Sequence, residues 1–266
     1  MIGTLGGTVV VHDSGVDREG VNPDASIAAR VADEIVATGG TSLALTSDLG
    51  SPAACDDAVE ATVARFGRLD SVIHSAGLSF VDAINKIDEE TFARLEAVNV
   101  DAAFHLCRAA FPVMRHQRYG RIVLTTSGHA LEAGEDASGL TAYAMGKGAQ
   151  LGLAMALAGE GLADEIYVNV ISPAAKTRMM RRDVAPGRMT PEQVAASVAW
   201  LASSACLLSG VVLRSANGFV ALAGIANHIE LNLEERATDP HEVALAFERE
   251  LSSNPRRFGL VEDTSS

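Results

Sequence analysis

Residues 120–127 read GRIVLTTS, residues 141–159 read TAYAMGKGAQLGLAMALAG, and residues 167–172 read YVNVIS. The first and third are short β-branched and aliphatic runs, the pattern of strands buried on both faces of a sheet. Between them lies a longer stretch rich in Ala, Gly and Leu that reads as a helix. A strand, a helix and a second strand in that order imply a right-handed crossover and a mostly parallel sheet.

The alternation extends in both directions. Upstream, Thr8–His12 reads as a strand. Asn22-Pro23-Asp24 opens a helix that carries Ile27, Val31 and Ile35 on one face and stops at Gly39-Gly40. Thr41–Thr46 is a second strand. Ser51-Pro52, a cap followed by a first-turn proline, starts a helix through Val59, Val63 and Phe66 that ends at Gly67. Leu69–His74 is a third strand, and Asp88 caps a long helical stretch running past Asn99 to Met114. Residues 128–140 read as a loop. Downstream, Thr190-Pro191-Glu192-Gln193 is a capping box for a helix through Trp200, and Ser209–Arg214 is the last strand. A charged tail follows, with one more helical pattern from Asp239-Pro240 through Val243, Phe247 and Leu251. The expected fold class is α/β: a doubly wound, mostly parallel sheet over residues 1–225, with a C-terminal appendage at residues 226–266.

The 266 residues suffice for a buried core, and 48% apolar against 5% aromatic residues means that aliphatic side chains build it. Lys and Arg number 21 against 34 Asp and Glu, a formal charge of −13. That excess argues against nucleic acid and anionic membranes as partners. Cys55, Cys107 and Cys206 form no C-x-x-C pair, which speaks against a zinc site or a disulfide framework and for a reducing cytoplasm. No basic flank precedes an apolar run at the amino terminus, so no signal peptide is read there. The apolar run Leu151–Ala158 is too short to span a membrane. The expectation is a cytoplasmic protein that binds no metal.

Tyr143-Ala-Met-Gly-Lys147 places a phenol and an ammonium one turn apart on a single helix face. A phenol titrates near ~10, and an adjacent cation favours its ionised form and brings it toward acid–base use. Taken alone, the same spacing also arises as an ordinary surface pair. Ser127 stands at the carboxyl edge of its strand, where open parallel sheets hold ligands. His74-Ser75-Ala76-Gly77 ends another strand in small residues that let a flat cofactor approach the backbone. Asn169-Val-Ile-Ser-Pro173 ends a third. His129 suits either substrate or solvent. Arg178, Arg181 and Arg182 suit either an acidic, CoA-linked substrate or a solvated face. Ser138 is a rival hydroxyl, but it lies only five residues before Tyr143 and belongs to the loop.

Taken in order from Thr8 to Gly218, these elements resemble the short-chain dehydrogenase/reductase family. His74-Ser-Ala-Gly77 is similar to its Asn-Asn-Ala-Gly element, with His and Ser in place of both asparagines. Asn99, Ser127, Tyr143 and Lys147 match its catalytic tetrad. Pro173 and Thr177 match its Pro-Gly-x-x-x-Thr segment, with Ala174 in place of glycine. Val9–Gly15 with Gly20 and, more weakly, Ser209–Phe219 resemble the hydroxyacyl-CoA dehydrogenase unit of multifunctional enzymes.

The resemblance implies an NAD-dependent enzyme that interconverts a secondary alcohol and a ketone. Its substrate would be a small molecule of 3-hydroxyacyl or polyketide-like type, and it would act as a homodimer or homotetramer. Tyr143 would exchange the proton with the substrate oxygen, and Ser127 would hold that oxygen. Lys147 would lower the phenol pKa and bind the nicotinamide ribose, with Asn99 supporting a water-linked relay behind it. Cofactor contacts would fall to Asp13, Asp48, Leu49, Ser75, Ala76, Gly77, Tyr143, Lys147, Pro173 and Thr177. Asp13 would accept the adenosine ribose hydroxyls and repel a 2′-phosphate, selecting NAD over NADP. Standing before Ser14-Gly15, it equally suits a turn, as Asp48 suits the start of the next helix.

Two departures set further expectations. Ser127 and Tyr143 are 16 residues apart, a few more than the family pattern, and the surplus is placed in residues 132–140. The family's opening strand, its T-G-x-x-x-G-x-G turn and the helix after it have no counterpart. Gly3-Thr-Leu-Gly-Gly7 is no substitute, with no strand before it and no helix after it. Either the missing piece is supplied upstream, or the chain is a divergent member without dinucleotide binding. In the second case it would use the pocket for non-redox proton transfer (as a cyclase, dehydratase or isomerase) or serve as a non-catalytic assembly subunit.

Overall fold

The run GRIVLT forms strand β4 (Gly120–Thr125) in the computed structural model, which describes residues 1–17, 20–132, 134, 138–180, 183–185, 187–224 and 238–253. Its first five residues are buried, as a strand covered on both faces requires. Arg121 sits among them with no carboxylate paired to it among the described residues. Its guanidinium lies between the rings of Tyr119 (4.5 Å) and Tyr167 (4.2 Å). It donates to the carbonyls of Gly120, Glu165 and Ser203 at 2.8, 3.1 and 3.2 Å, so the buried charge keeps its hydrogen bonds.

β4 pairs in parallel with β3 (Ser71–Ile73) and with β5 (Ile166–Ala174), and β5 pairs in parallel with β6 (Val212–Ala216). An antiparallel strand β7 (Phe219–Ala223) closes this five-stranded sheet. The expectation of a last strand at Ser209–Arg214 is corrected here: β6 starts three residues later and a further strand follows. Asn217 and Gly218 both take positive φ (49° and 82°), the geometry a two-residue hairpin turn needs.

β1 (Thr8–His12) and β2 (Thr41–Leu45) form a separate parallel pair. Among the described residues no strand pairs with the second edge of β1 or of β3. Val9, Val10 and Val11 are accordingly only half-buried, whereas Ile122–Leu124 and Val168–Ile171 are fully enclosed. Residues 1–7 add no strand; Gly3–Leu5 is a single 3₁₀ turn.

The helices cover both faces. On one side α4 (Ala102–Gln117) and α6 (Thr141–Gly161) bring Phe111, Met114 and Ala154 onto Ile122, Leu124, Val168 and Val170. On the other, α7 (Pro191–Leu201) brings Leu201 onto Val123, Ile171 and Leu213. Its capping box at Thr190 and Gln193 forms as expected. α1 (Ser26–Ala37) corrects the sequence reading: the residues it buries are Ala28 and Ala32, while Val31 is exposed and Ile27 and Ile35 are half-buried. Small residues let this helix lie close to β1 and β2. α2 (Pro52–Phe66) and α3 (Glu89–Glu96) complete the first unit, and Asp88 caps α3 by accepting from the Thr91 N–H at 2.7 Å. All three cysteines are buried and free.

The chain divides into compact units Met1–Ala223 and Gly224–Ser266. The second contains α8 (Pro240–Ser253) with Val243 and Phe247; residues 225–237 and 254–266, the rest of the expected appendage, lie outside the described residues.

Candidate active site

Helix α6 carries Tyr143 and Lys147 on one face because they are four residues apart. The helix can approach its neighbour closely because residue 146 is glycine: a Cβ there would lie 2.9 Å from Asn99 Cβ. Asn99 sits in a widened π turn, Ala97–Asp101, that joins α3 to α4. Its buried side chain locks the backbone after β3, with Oδ1 accepting from the Leu78 N–H (2.8 Å) and Nδ2 donating to the Leu78 carbonyl (2.9 Å). Gly77 fills the remaining space, where a Cβ would meet Lys147 Nζ at 3.1 Å and Asn99 Oδ1 at 3.2 Å. The strand end His74–Gly77, Asn99 and Lys147 thus share one corner.

Ser127 enters from the end of β4. Residues 128–140, read from sequence as loop, instead begin with the one-turn helix α5 (Gly128–Leu131), which Ser127 caps by accepting from the His129 N–H at 3.3 Å. Ser127 is near enough to act on the Tyr143 phenol, and Lys147 Nζ lies 6.0 Å from the Tyr143 ring centre. Thr126 Oγ1 donates to the Lys147 carbonyl at 2.9 Å, tying α6 to the end of β4. Burial pushes the Tyr143 phenol above its ordinary value, and the Ser127 hydrogen bond pulls it back down. Burial also holds Lys147 down at about 8. Removal from water has the largest hold on Tyr143.

A cavity of about 470 Å³ opens beside this corner. Asp13, Asp48, Leu49, Ser75, Ala76 and Gly77 all line it, with Arg178 and Met179 from the segment after β5. The two carboxylates also make the turns their sequence positions suit. Asp13 Oδ1 accepts from the Gly15 N–H at 2.8 Å, and Asp48 Oδ1 from the Gly50 N–H at 2.9 Å. Arg178 Nη2 donates to the Val16 carbonyl at 3.0 Å, joining the β5 side to the segment after β1.

Other expected residues stand further off. Pro173 lies on β5 and Thr177 in the turn beyond it, where its Oγ1 accepts from the Met179 N–H at 3.3 Å; neither lines the cavity. Ser138 is exposed, His129 is half-buried, and Arg181 and Arg182 lie outside the described residues. The surplus assigned to residues 132–140 falls partly on residues 133 and 135–137, also outside them; Glu132 pairs with Arg214 of β6.

Sequence reasoning passed over Gln150. This buried side chain follows Lys147 by one turn, donates from Nε2 to the Asn99 carbonyl (2.9 Å) and accepts at Oε1 from the Thr125 N–H (3.1 Å). A polar residue on the buried face of an otherwise small and apolar helix was the available signal. Among the described residues no group of three or more His, Cys, Asp or Glu could hold a metal, and no helix is long and apolar enough to cross a membrane.

Comparison with known proteins gives the arrangement a context. The family model described as short chain dehydrogenase matches residues 12–187. The peroxisomal multifunctional enzyme type 2 of Drosophila melanogaster is 29% identical over 252 residues, 94% of this chain and 41% of that protein. The chain thus spans less than half the length of that relative. The D-beta-hydroxybutyrate dehydrogenase of Rhizobium meliloti is 33% identical over 144 residues, 54% of this chain and 55% of that one. A short chain dehydrogenase from Mycobacterium avium superposes with a TM-score of 0.79 at 30% identity, over 92% of this chain and 86% of its own.

Proposed function

The chain belongs to the short-chain dehydrogenase family, and from that premise we propose that it interconverts a secondary alcohol and a ketone with NAD, the substrate being of 3-hydroxyacyl type. One observation carries the reading: Tyr143 and Lys147 share one face of α6, with the ammonium 6.0 Å from the phenol ring and beside Gly77, and Ser127 acts on the phenol from the end of β4. Tyr143 gives its proton to the ketone oxygen in reduction and takes it from the alcohol in oxidation. Ser127 donates to the same oxygen and fixes its distance from the phenol. Lys147 supplies positive charge near the phenol as it ionises. Asn99 holds the Leu78 turn, and with it the wall that Gly77 leaves open.

The residues present fit a dinucleotide. The small residues Ser75, Ala76 and Gly77 line the cavity and leave their backbone open to a flat group, and the same cavity carries an acceptor carboxylate at Asp13. Asp13, Asp48 and Leu49 would hold the adenosine end; Ser75, Ala76, Gly77, Lys147, Pro173 and Thr177 would hold the nicotinamide end. When bound, the cofactor supplies or takes up the hydride. The substrate class draws support from the likeness to a protein named D-beta-hydroxybutyrate dehydrogenase.

The test is a 3-hydroxyacyl thioester offered with NAD, following the nicotinamide absorbance. Tyr143→Phe keeps the ring packing and removes the hydroxyl, so turnover should fall roughly 10²–10⁴-fold with an unchanged circular dichroism spectrum. Near-native turnover in that variant rejects the assignment. The unpaired edges of β1 and β3 favour a second reading, proton transfer without a dinucleotide. Retained pocket chemistry with no NAD binding would select it.

The protein is also proposed to work as a homodimer or homotetramer. Phe104 on α4 and Met145 on α6 are each about half exposed, more apolar surface than two sheet-facing helices need. A monomer mass by light scattering at every concentration would reject this.

A further inference from the structure

His74 directly follows strand β3 with only 2% of its surface accessible, in a site where the family pattern has an asparagine. Its backbone is fixed by β4: the His74 N–H donates to the Val123 carbonyl (2.9 Å), and its carbonyl accepts from Thr125 Oγ1 (2.7 Å). Its ring Nδ1 lies 3.3 Å from Gln150 Oε1. The Gln150 amide cannot be turned over, because its oxygen accepts from the Thr125 N–H and its nitrogen donates to the Asn99 carbonyl. Nδ1 must therefore carry a hydrogen and donate. The tautomer is set by two backbone groups, and Nε2 is left as a bare acceptor.

That acceptor is buried and has no partner among the described residues. Leaving such an atom unmatched costs free energy, so its solitude calls for an explanation. The nearby side-chain donors are already engaged: Asn99 Nδ2 with the Leu78 carbonyl, Gln150 Nε2 with the Asn99 carbonyl. One turn before Gln150 on α6 stands Lys147, an ammonium with three donors and 3% of its surface accessible. Among the described residues no carboxylate is paired with it, and desolvation is the cause of its lowered pKa. The Lys147 charge acts on the His74 ring, and it is the charged group that does so. From β4, α6 and the π turn, the other groups on the ring and its partners are the uncharged Thr125, Gln150 and Asn99.

We propose that His74 Nε2 is the acceptor that holds the Lys147 ammonium through one water, which makes His74 a positioning residue for the Tyr143–Lys147 pair. No proton is transferred: a neutral imidazole accepts a hydrogen bond from that water and fixes where Nζ points. Burial and the lysine charge hold the imidazole neutral by lowering its pKa to about 4, so the acceptor persists through the working pH range. The proposal deepens the reading of Lys147 as part of the proton-transfer site, but its test reads the lysine itself rather than turnover.

The chain has only three lysines, Lys86, Lys147 and Lys176, so their side-chain signals separate readily in Cε-labelled protein. Lys147, identified by the signal lost in Lys147→Arg, is followed by NMR as pH is raised. His74→Phe keeps a ring in place and removes the acceptor. It should move the Lys147 midpoint down by about one pH unit, a tenfold loss of proton affinity, while Lys86 and Lys176 stay put. His74→Asn restores a short polar acceptor and should recover at least half of that shift. An unchanged Lys147 midpoint in folded His74→Phe overturns the proposal. If that variant does not fold, the unmutated protein still decides. The His74 Nε2 nitrogen shift must change with the Lys147 midpoint, and a shift blind to that titration overturns the proposal as well. Either result stands whether or not the protein turns over a 3-hydroxyacyl substrate.

Discussion

Asp13 meets two demands with one carboxylate. Oδ1 is engaged by the Gly15 N–H, which fixes the turn after β1, while the residue also lines the cavity. The two roles separate by substitution. Asp13→Asn keeps an acceptor for Gly15 but removes the charge that would repel a 2′-phosphate. The preference for NAD over NADP, read as a ratio of dissociation constants, should narrow by roughly tenfold, near the ~1 kcal/mol of two charges about 4 Å apart in bulk water. An unmutated protein that binds NADP as tightly as NAD would overturn the role given to Asp13. At this scale the sequence was legible where chemistry is written in short spacing: Tyr143 and Lys147 four apart, Asp13 two before Gly15. The His74–Gln150 contact joins residues 76 positions apart, and nothing local marks it.

Helix α6 shows how glycine at different positions in one element acts in opposite directions. Gly146 sits against the π turn, and Gly152 is exposed with no atom within 4 Å of its would-be Cβ. Gly146→Ala must push Asn99 aside, so it should destabilise by about 1–3 kcal/mol and loosen the hold on Leu78. Gly152→Ala meets nothing and should stabilise by about 0.5–1 kcal/mol through helix propensity. Denaturant midpoints of the two variants should move in opposite directions; a shift of the same sign in both would reject the close-approach argument. Elements with a start signal were readable, such as the helix capped by Asp88 and the one opened by the box at Thr190. β7 was missed because Asn217-Gly218, a turn signal, stood inside what read as tail. The buried face of α1 was misjudged because larger aliphatic residues were preferred to Ala28 and Ala32, although a close-lying helix needs the small ones.

At the scale of the whole molecule, the order of strands and helices was recoverable because each crossover repeats the same alternation. The division into two sheets, β1 with β2 and β3 to β7, was not written in that alternation. Their separation bears on how the protein comes apart. A continuous sheet couples its strands through shared ladders, so that it tends to open all at once. Among the described residues β1 and β2 pair only with each other, with half-buried valines, while β4 and β5 lie at the centre of a five-stranded sheet. Local opening free energies follow such differences in burial and pairing. Amide hydrogen exchange should therefore resolve two tiers. Residues 9–12 and 42–45 should exchange through an opening that leaves the rest intact, and residues 122–124 and 168–170 only through global unfolding. Equal protection across both sets would mean that the helices alone weld the two sheets together. With two tiers, the Asp13 and Asp48 wall of the cavity could melt and re-form while Tyr143, Ser127 and Lys147 keep their places, so that the cofactor side of the pocket would be the first part of the protein to lose its structure under stress.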